Sequence, residues 1–419
     1  MTDRHKKFDI AIVGAGPASI AAAVAAAENG KSVSMLETSP WLGGQLWRSE
    51  FPRAADPAAI KWFSRLSETS AKVFLNTTVI DAPAEKTLLA ENPKGPLKIE
   101  YEKLIIATGA REIFLPFPGW TLPNVYGAGA LQALAKQNYP VEGKRIAVAG
   151  TGPLLFAVAA NLRARGAKVI LTAEQTDFKS FLRFGLNLPL LSPSKILQAI
   201  KYNLQMIGVP YKTSCWPVEA HGKEKLESVT FTNGEKTFDL NCDYLACAFG
   251  LTPNLELPKL LGCGTKNDTV EVDEYQQTSL ENTYCAGEPT GIGGIDSALT
   301  EGRIAGLAAA GKKDKANKLL SRRNRYIKFA KAMAAGFCLR DEIKKLASEN
   351  TIICRCEDVT AAQLAEFDDF KSAKLQTRCG MGPCQGRICG CALKTIYGWE
   401  NQSVRPPIYP AKLKNLEYH

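Results

Sequence analysis

The sequence predicts an α/β chain built from two βαβ nucleotide-type folds and a small, mainly helical cysteine module toward its C-terminal end. Two glycine-rich turns predict the folds, Gly14–Ser19 and Gly150–Leu155, each placed between a short apolar strand and an apolar helix. Crowding predicts the module, since six of the 12 cysteines fall within the 38 positions from Cys354 to Cys391. With 419 residues there is chain for about three domains. A composition of 45% hydrophobic and 22% charged residues is that of an ordinary globular protein.

In the first fold, Phe8 to Val13 reads as a buried strand. Gly14-Ala15-Gly16-Pro17-Ala18-Ser19 then turns into an alanine-rich helix ending at Asn29-Gly30, and Lys31 to Leu36 is a second strand. The bend requires Gly14, and Gly16 lets the backbone approach a pyrophosphate at the helix start, around Pro17 and Ala18. Glu37 stands 23 residues after Gly14, near the spacing at which an acid meets an adenosine ribose hydroxyl pair, and its charge disfavours a 2′-phosphate. Ser19 replaces the usual third glycine and is small enough for helix and strand to pack closely. The rival readings are a bare structural turn and, for Glu37, a solvated strand-end charge. Strand, turn, helix, strand and acid in register favour an adenine dinucleotide over both.

The second fold repeats the pattern. A strand from Lys144 to Ala149 leads into Gly150-Thr151-Gly152-Pro153-Leu154-Leu155, a helix to about Arg165, a strand from Lys168 to Leu171, and Glu174, 24 residues after Gly150. Leu155 occupies a packing position normally given to Gly or Ala and is expected to push helix from strand. A nicotinamide site and a fold kept for scaffolding are therefore both open. Glu174, if it meets a ribose, favours NAD over NADP.

The net charge of +10 is largely local, because Gly311 to Lys331 carries nine basic residues against Asp314 alone. Leu319, Leu320, Tyr326, Ile327, Ala330, Met333 and Phe337 recur there at helical spacing, so the charges read as the solvated face of an amphipathic helix. Contact with an acidic partner ranks second and nucleic acid a distant third. Ile10 to Ala27 imitates a signal peptide but is interrupted by Gly14, Gly16 and Pro17, and no stretch is apolar enough to span a bilayer. The expectation is a soluble, cytoplasmic protein, at most peripheral to the inner face of a membrane.

Cys215, Cys242, Cys247, Cys263, Cys285 and Cys338 are scattered and read as small buried residues. No Cys-x-x-Cys accompanies the first fold, which argues against disulfide reduction. His5, His221 and His419 stand in no motif, so no catalytic acid or base is assigned.

In the module, Cys354-Arg355-Cys356 precedes Thr360-Ala361-Ala362-Gln363, a capping box opening a short helix. Cys379 and Cys384 follow after 22 further residues on a Gly/Pro-rich loop before another helix. Two helix N-termini aimed at a thiolate centre would offset its negative charge. Four thiolates suit Zn²⁺ or a [2Fe–2S] cluster, and spacing does not separate them.

Three segments resemble motifs of the flavoprotein superfamily with two dinucleotide-binding domains: Leu104-Ile105-Ile106-Ala107-Thr108-Gly109, Thr283-Tyr284-Cys285-Ala286-Gly287-Glu288, and Gly43-Gly44-Gln45. The resemblance implies FAD held by Gly14, Gly16, Pro17, Ala18, Glu37, Gly44, Gln45, Ala107, Thr108, Gly109, Gly287 and Glu288. Glu288 stands where that superfamily usually has Asp. It also implies two Rossmann-like dinucleotide-binding domains, one inserted in the other, the inserted one a site for NAD(P)H.

Cys354-x-Cys356 with Cys379-x4-Cys384 inside Thr377-Arg-Cys-Gly-Met-Gly-Pro-Cys-Gln-Gly-Arg is similar to the bacterioferritin-associated-ferredoxin-like [2Fe–2S] module. That likeness implies Cys354, Cys356, Cys379 and Cys384 as ligands, with Cys389 and Cys391 as rivals. Together with Ala110-Arg111-Glu112, Phe117 to Pro123, Phe249 to Asn254 and Arg405-Pro406-Pro407, the chain resembles the α subunit of heteromeric amine and amino-acid dehydrogenases. That group includes opine oxidase, D-hydroxyproline dehydrogenase, dye-linked proline dehydrogenase and hydrogen cyanide synthase, with heterotetrameric sarcosine oxidase more distant.

The resemblance implies an electron-transfer subunit. Its partner would be an FAD-containing β subunit that oxidises a secondary amine or amino acid, of opine, hydroxyproline, proline or glycine type. It further implies an FMN at the subunit interface, for which no residues are assigned, room for a small third subunit, and a quinone or other carrier as acceptor. The expected division is 1–115 and 263–311 for the FAD-type domain, 116–262 for the insert, 312–340 for a basic helical connector and 341–419 for the cysteine module. Two alternatives stand beside this reading: a self-sufficient NADH-dependent ferredoxin-type reductase and a zinc-stabilised assembly scaffold.

Overall fold

A computed structural model describes residues 4–48, 56–191, 193–400 and 404–416. The chain divides into two compact units: Met1–Arg111 with Thr252–Ala330 and Ser403–His419, and Glu112–Leu251 with Lys331–Gln402.

In the first unit, strand His5–Val13 lies between Val33–Leu36 and Gly95–Ile106, parallel to both, with Ile10 opposite Val33 and Lys103. Lys72–Phe74 extends the sheet in parallel on one side, and Thr87–Asn92 and Thr78–Ala84 continue it antiparallel on the other. Thr283–Cys285 joins the end of Gly95–Ile106 in parallel, which carries the late Gly287-Glu288 segment to the mouth of the sheet. Helix Pro17–Ala27 is buried almost all round, the pattern of a core helix rather than a surface one. Its alanines allow helix Ile295–Ala309 to come in at backbone distance. A Cβ built on Gly302 would stand 2.1 Å from Ala18 O, and one on Gly306 2.3 Å from Ala22 O.

In the second unit, five parallel strands run in the order Tyr211–Lys212, Lys168–Glu174, Arg145–Gly150, Tyr244–Ala248, Val125–Gly127. Leu155 does not push the helix away, contrary to expectation. It is fully buried with Val158, Leu162 and Val148, because helix Leu154–Ala164 begins one residue later in its turn than its counterpart and carries this side chain into the core. A three-stranded antiparallel sheet, Trp216–His221, Ser228–Thr232 and Thr237–Asn241, adds a second apolar layer.

The cysteine-rich segment falls within this unit and shares part of its core. Ile343 and Ala392 are buried in the same core as Phe117, Trp120 and Trp216, and Trp120 Nε1 donates to Ile352 O at 2.6 Å. The basic connector is one long helix, Lys313–Gly336, and the division of the chain falls within it, between Ala330 and Lys331. Ala316, Leu319 and Phe329 are its buried residues, while Phe337, expected on its apolar face, lies beyond its end. Of the scattered cysteines Cys338 is exposed, a correction to the expectation of burial; the other five are buried. Among the described residues no helix is long and apolar enough to cross a membrane.

Candidate cofactor sites

The first turn is shaped by what its glycines touch. Gly14 has φ +111°, and a Cβ there would stand 2.3 Å from Ala107 O, so only glycine lets the turn meet the Ala107-Thr108-Gly109 loop. Ser19 Oγ reaches the same carbonyl at 3.5 Å, the use the fold makes of the missing third glycine. Gly16 is extended at φ −77° and ends the turn as N-cap of helix Pro17–Ala27 without a side-chain cap, leaving the first helical amides without that partner. The Gly43-Gly44 loop is laid over it by Gly43 N donating to Ala15 O at 2.8 Å, while Gln45 is exposed on the same turn. Space beside Gly16 is open, because a Cβ there would meet only Gly44 Cα at 3.9 Å. Glu37 lies at the strand end, accepting from Ala15 N and Ser39 N at 2.8 Å each. Burial pushes its carboxyl up against the pull of those two amides.

Two residues the sequence reading missed hold the surrounding loops. Asn254 exchanges bonds with Thr108, its Nδ2 donating to Thr108 O at 2.8 Å and its carbonyl accepting from Thr108 Oγ1 at 2.9 Å. Glu301 accepts from Gly287 N (2.9 Å), Thr290 Oγ1 (2.9 Å) and Ser297 Oγ (2.8 Å) and is buried, which raises its carboxyl against those three donors. Glu288 is itself raised by burial while bonded by the Ala110 amide. No local sequence signal announces either partner, since Asn254 is 146 residues from Thr108 and Glu301 14 from Gly287. An uncapped helix start, an open glycine face and a strand-end carboxylate fit an adenine dinucleotide.

The second turn looks alike and is differently committed. Gly150 has φ +137° and its Cβ position lies 2.0 Å from Ala248 O. Here, however, it is Gly152 N that donates to Glu174, at 2.7 Å, and Thr176 N takes the other carboxylate oxygen at 2.9 Å. Glu174 is fully buried and raised by that burial. The amide expected to face a pyrophosphate is thus already bonded, and Gly152 has φ +86° with the Phe337 ring 3.8 Å from its Cβ position. These residues do not fit a nicotinamide dinucleotide.

In the cysteine module, hairpin Ile352–Cys354/Val359–Thr360 and helices Phe370–Thr377 and Cys389–Tyr397 surround a core of Ile353, Val359, Leu364, Phe370 and Leu393. The sulfurs of Cys354, Cys379 and Cys389 lie within 4.8 Å of one another. Cys384 is bonded to Cys389 and Cys356. Five sulfurs therefore gather where four were expected. Cys389, one of the two rivals, stands at their centre, Cys356 is on the exposed rim, and Cys391 instead donates to Arg387 O at 3.7 Å.

Thiol donors from Cys379 and then Cys389 pull Cys354 far below the ordinary thiol range, and Cys389 leads the groups that lower Cys384 to about 5. Backbone amides also face the sulfurs: Gly380 N donates to Cys354 Sγ at 3.5 Å, Glu357 N to the same sulfur, and Ile388 N and Gly386 N to Cys384. Such donors suit a negatively charged thiolate-ligated centre. The capping box forms as expected, but the helix it opens is not aimed at the sulfurs. Its first amides are spent on Thr351 O, Glu349 O and Thr360 Oγ1.

The chain matches the model of the family described as pyridine nucleotide-disulphide oxidoreductase over residues 8–305. It is 29% identical to an opine oxidase subunit of Rhizobium meliloti, covering 97% of each chain. It is 30% identical to hydrogen cyanide synthase subunit HcnB of Pseudomonas aeruginosa, covering 90% of each. L-proline dehydrogenase from P. horikoshii shares the fold with a TM-score of 0.72 and 19% identity, over 99% of this chain and 80% of that one. A dinucleotide cradle, a second fold of the same kind and relatives matched end to end agree: this chain belongs to the pyridine nucleotide-disulphide oxidoreductase family and, within it, to the flavoprotein group of HcnB and the opine oxidase subunit.

Proposed function

We propose that this chain is the electron-transferring α subunit of a heteromeric dehydrogenase whose partner β subunit, carrying its own FAD, oxidises a secondary amine or amino acid. The observation that carries the reading is the amide-surrounded sulfur group on the same chain as an open dinucleotide cradle. Two relatives named as subunits, of opine oxidase and of hydrogen cyanide synthase, support the heteromeric part. A flavin accepts two electrons together and can release them singly, whereas a [2Fe–2S] cluster carries one.

Ala18 and Ser19 would offer amides to a pyrophosphate at the helix start, Glu37 would accept from ribose hydroxyls, and Glu288 would meet the ribityl chain. Cys354, Cys384 and Cys389, with Cys379 or Cys356 completing four, would ligate the cluster. This reading also assigns an FMN to the interface with the β subunit, leaves room for a small third subunit, and ends the electron path on a quinone or other carrier.

The test is anaerobic co-purification from the host with analysis of iron, acid-labile sulfide, zinc and flavin. Iron and sulfide in equal amounts with a flavoprotein partner are expected. Stoichiometric zinc without sulfide overturns the relay. Cys384→Ser is expected to remove the cluster, and comparison of Cys356→Ser with Cys379→Ser identifies the fourth ligand as the one whose loss empties the site.

A further inference from the structure

The second nucleotide cradle is filled by the chain itself. Beyond helix Lys313–Gly336, the segment Phe337–Arg340 crosses the ends of the parallel strands where a dinucleotide would lie in such a fold. Thr151 Oγ1 donates to Phe337 O at 3.3 Å, and Gln175 Nε2 donates to Cys338 O at 3.0 Å. Gln175 Oε1 accepts from Arg340 N at 3.1 Å, and Gln175 O from Arg340 Nε at 2.8 Å. Arg340 Nη2 continues to Ser214 Oγ at 3.3 Å, and the guanidinium lies over the Trp216 ring at 5.2 Å. Phe337 is wedged edge-on against Phe184, ring centroids 5.0 Å apart, and faces Gly152.

We propose that this fold takes the strap Phe337–Arg340 in place of a nicotinamide dinucleotide and serves as the socket that anchors the cysteine module, so that NADH and NADPH do not bind it. Three features combine. The Gly152 amide is spent on Glu174. Gln175, fully buried, uses both ends of its amide on the strap's backbone, so neither end is left over for a ligand's hydroxyls. The Phe337 ring closes the space over the glycine face. A dinucleotide would have to displace every one of these bonds, each costing it roughly five- to tenfold in affinity. The strap leads through Ile343, buried in the unit's core, to Ile352 and Cys354, so the socket holds the module by its entry. The socket rests on the second fold alone and stands whether or not the chain serves an amine dehydrogenase.

Titration of the full chain with NADH and NADPH, followed by nucleotide fluorescence, reads the site directly. Hydrogen exchange of peptides covering 337–342 reads the strap. No saturable binding up to millimolar nucleotide is expected, with exchange of the Arg340 amide unchanged by nucleotide. Gln175→Ala is expected to speed that exchange about fivefold or more, the loss of one buried acceptor. Should Gln175→Ala not fold, Arg340→Gln, which removes the side-chain bonds to Gln175 O and Ser214 Oγ and so loosens the strap, is read by the same exchange. Saturable binding to the unaltered chain, or exchange of the Arg340 amide unchanged in the variant that folds, overturns the proposal.

Discussion

The turns Gly14–Ser19 and Gly150–Leu155 share a tight first glycine against a neighbouring carbonyl, a strand-end glutamate, and that glutamate bonded to amides of the turn and of the residue two beyond it. They differ in one amide and one face. Glu37 takes the amide of Ala15, leaving Gly16 extended with open space beside it; Glu174 takes the amide of Gly152, which is turned to φ +86° and covered by Phe337. A shift of one position in an internal hydrogen bond therefore separates a turn with open space beside its second glycine from one whose second glycine is bonded through its amide and covered by Phe337.

The largest expected effect separates the two. Gly16→Val is expected to abolish flavin retention while the chain still folds, because its backbone is ordinary and only Gly44 stands near the new side chain. Gly152→Ala, strained by about 1–2 kcal/mol at its positive φ, is expected to leave flavin content unchanged. Flavin absorbance after gel filtration decides, and equal retention in both variants would erase the distinction.

The next effect tests what the turns share. Gly14→Ala and Gly150→Ala each drive a Cβ into a backbone carbonyl at positive φ, and each is expected to cost about 3 kcal/mol. Chemical denaturation measures this, and a cost under about 1 kcal/mol at either site would break the equivalence.

Glu301 belongs to the open cradle only. Glu301→Ala strands the Gly287, Thr290 and Ser297 donors and is expected to cost about 2 kcal/mol at low pH. The smallest effect is its pH dependence. Burial raises this carboxyl above its unfolded value of 4.5, so its contribution is fully present below pH 4.5 and is lost as pH rises through the raised value. The difference in melting temperature between wild type and Glu301→Ala should therefore narrow from pH 4.5 upward. A difference that widens with pH would mean that the three donors outweigh burial.

Much of this is legible along the chain. Both βαβ units, both strand-end acids and the Thr360–Gln363 capping box follow from patterns within a single stretch of chain, and all stand in the structure. Leu155 escapes the spacing rule because that rule assumes a helix starting at a fixed position, whereas here Pro153 is the N-cap and the helix begins at Leu154. Cys389 escapes it because spacing ranks cysteines along the loop, whereas the first turn of helix Cys389–Tyr397 folds its sulfur back onto Cys354 and Cys379.

Periodicity, turn chemistry and cysteine crowding, read from the amino acids alone, determined the kind of fold and singled out the glycine turns and the cysteine group. Tertiary structure alone decided that one glycine turn has open space beside it while Phe337 covers the other, that Asn254 and Glu301 hold the loops around the first turn, and which sulfurs meet. The reason is physical: strand, helix and turn preferences arise between neighbours in sequence, but a backbone amide has one hydrogen to give, and which distant acceptor receives it is settled only when the whole chain has packed.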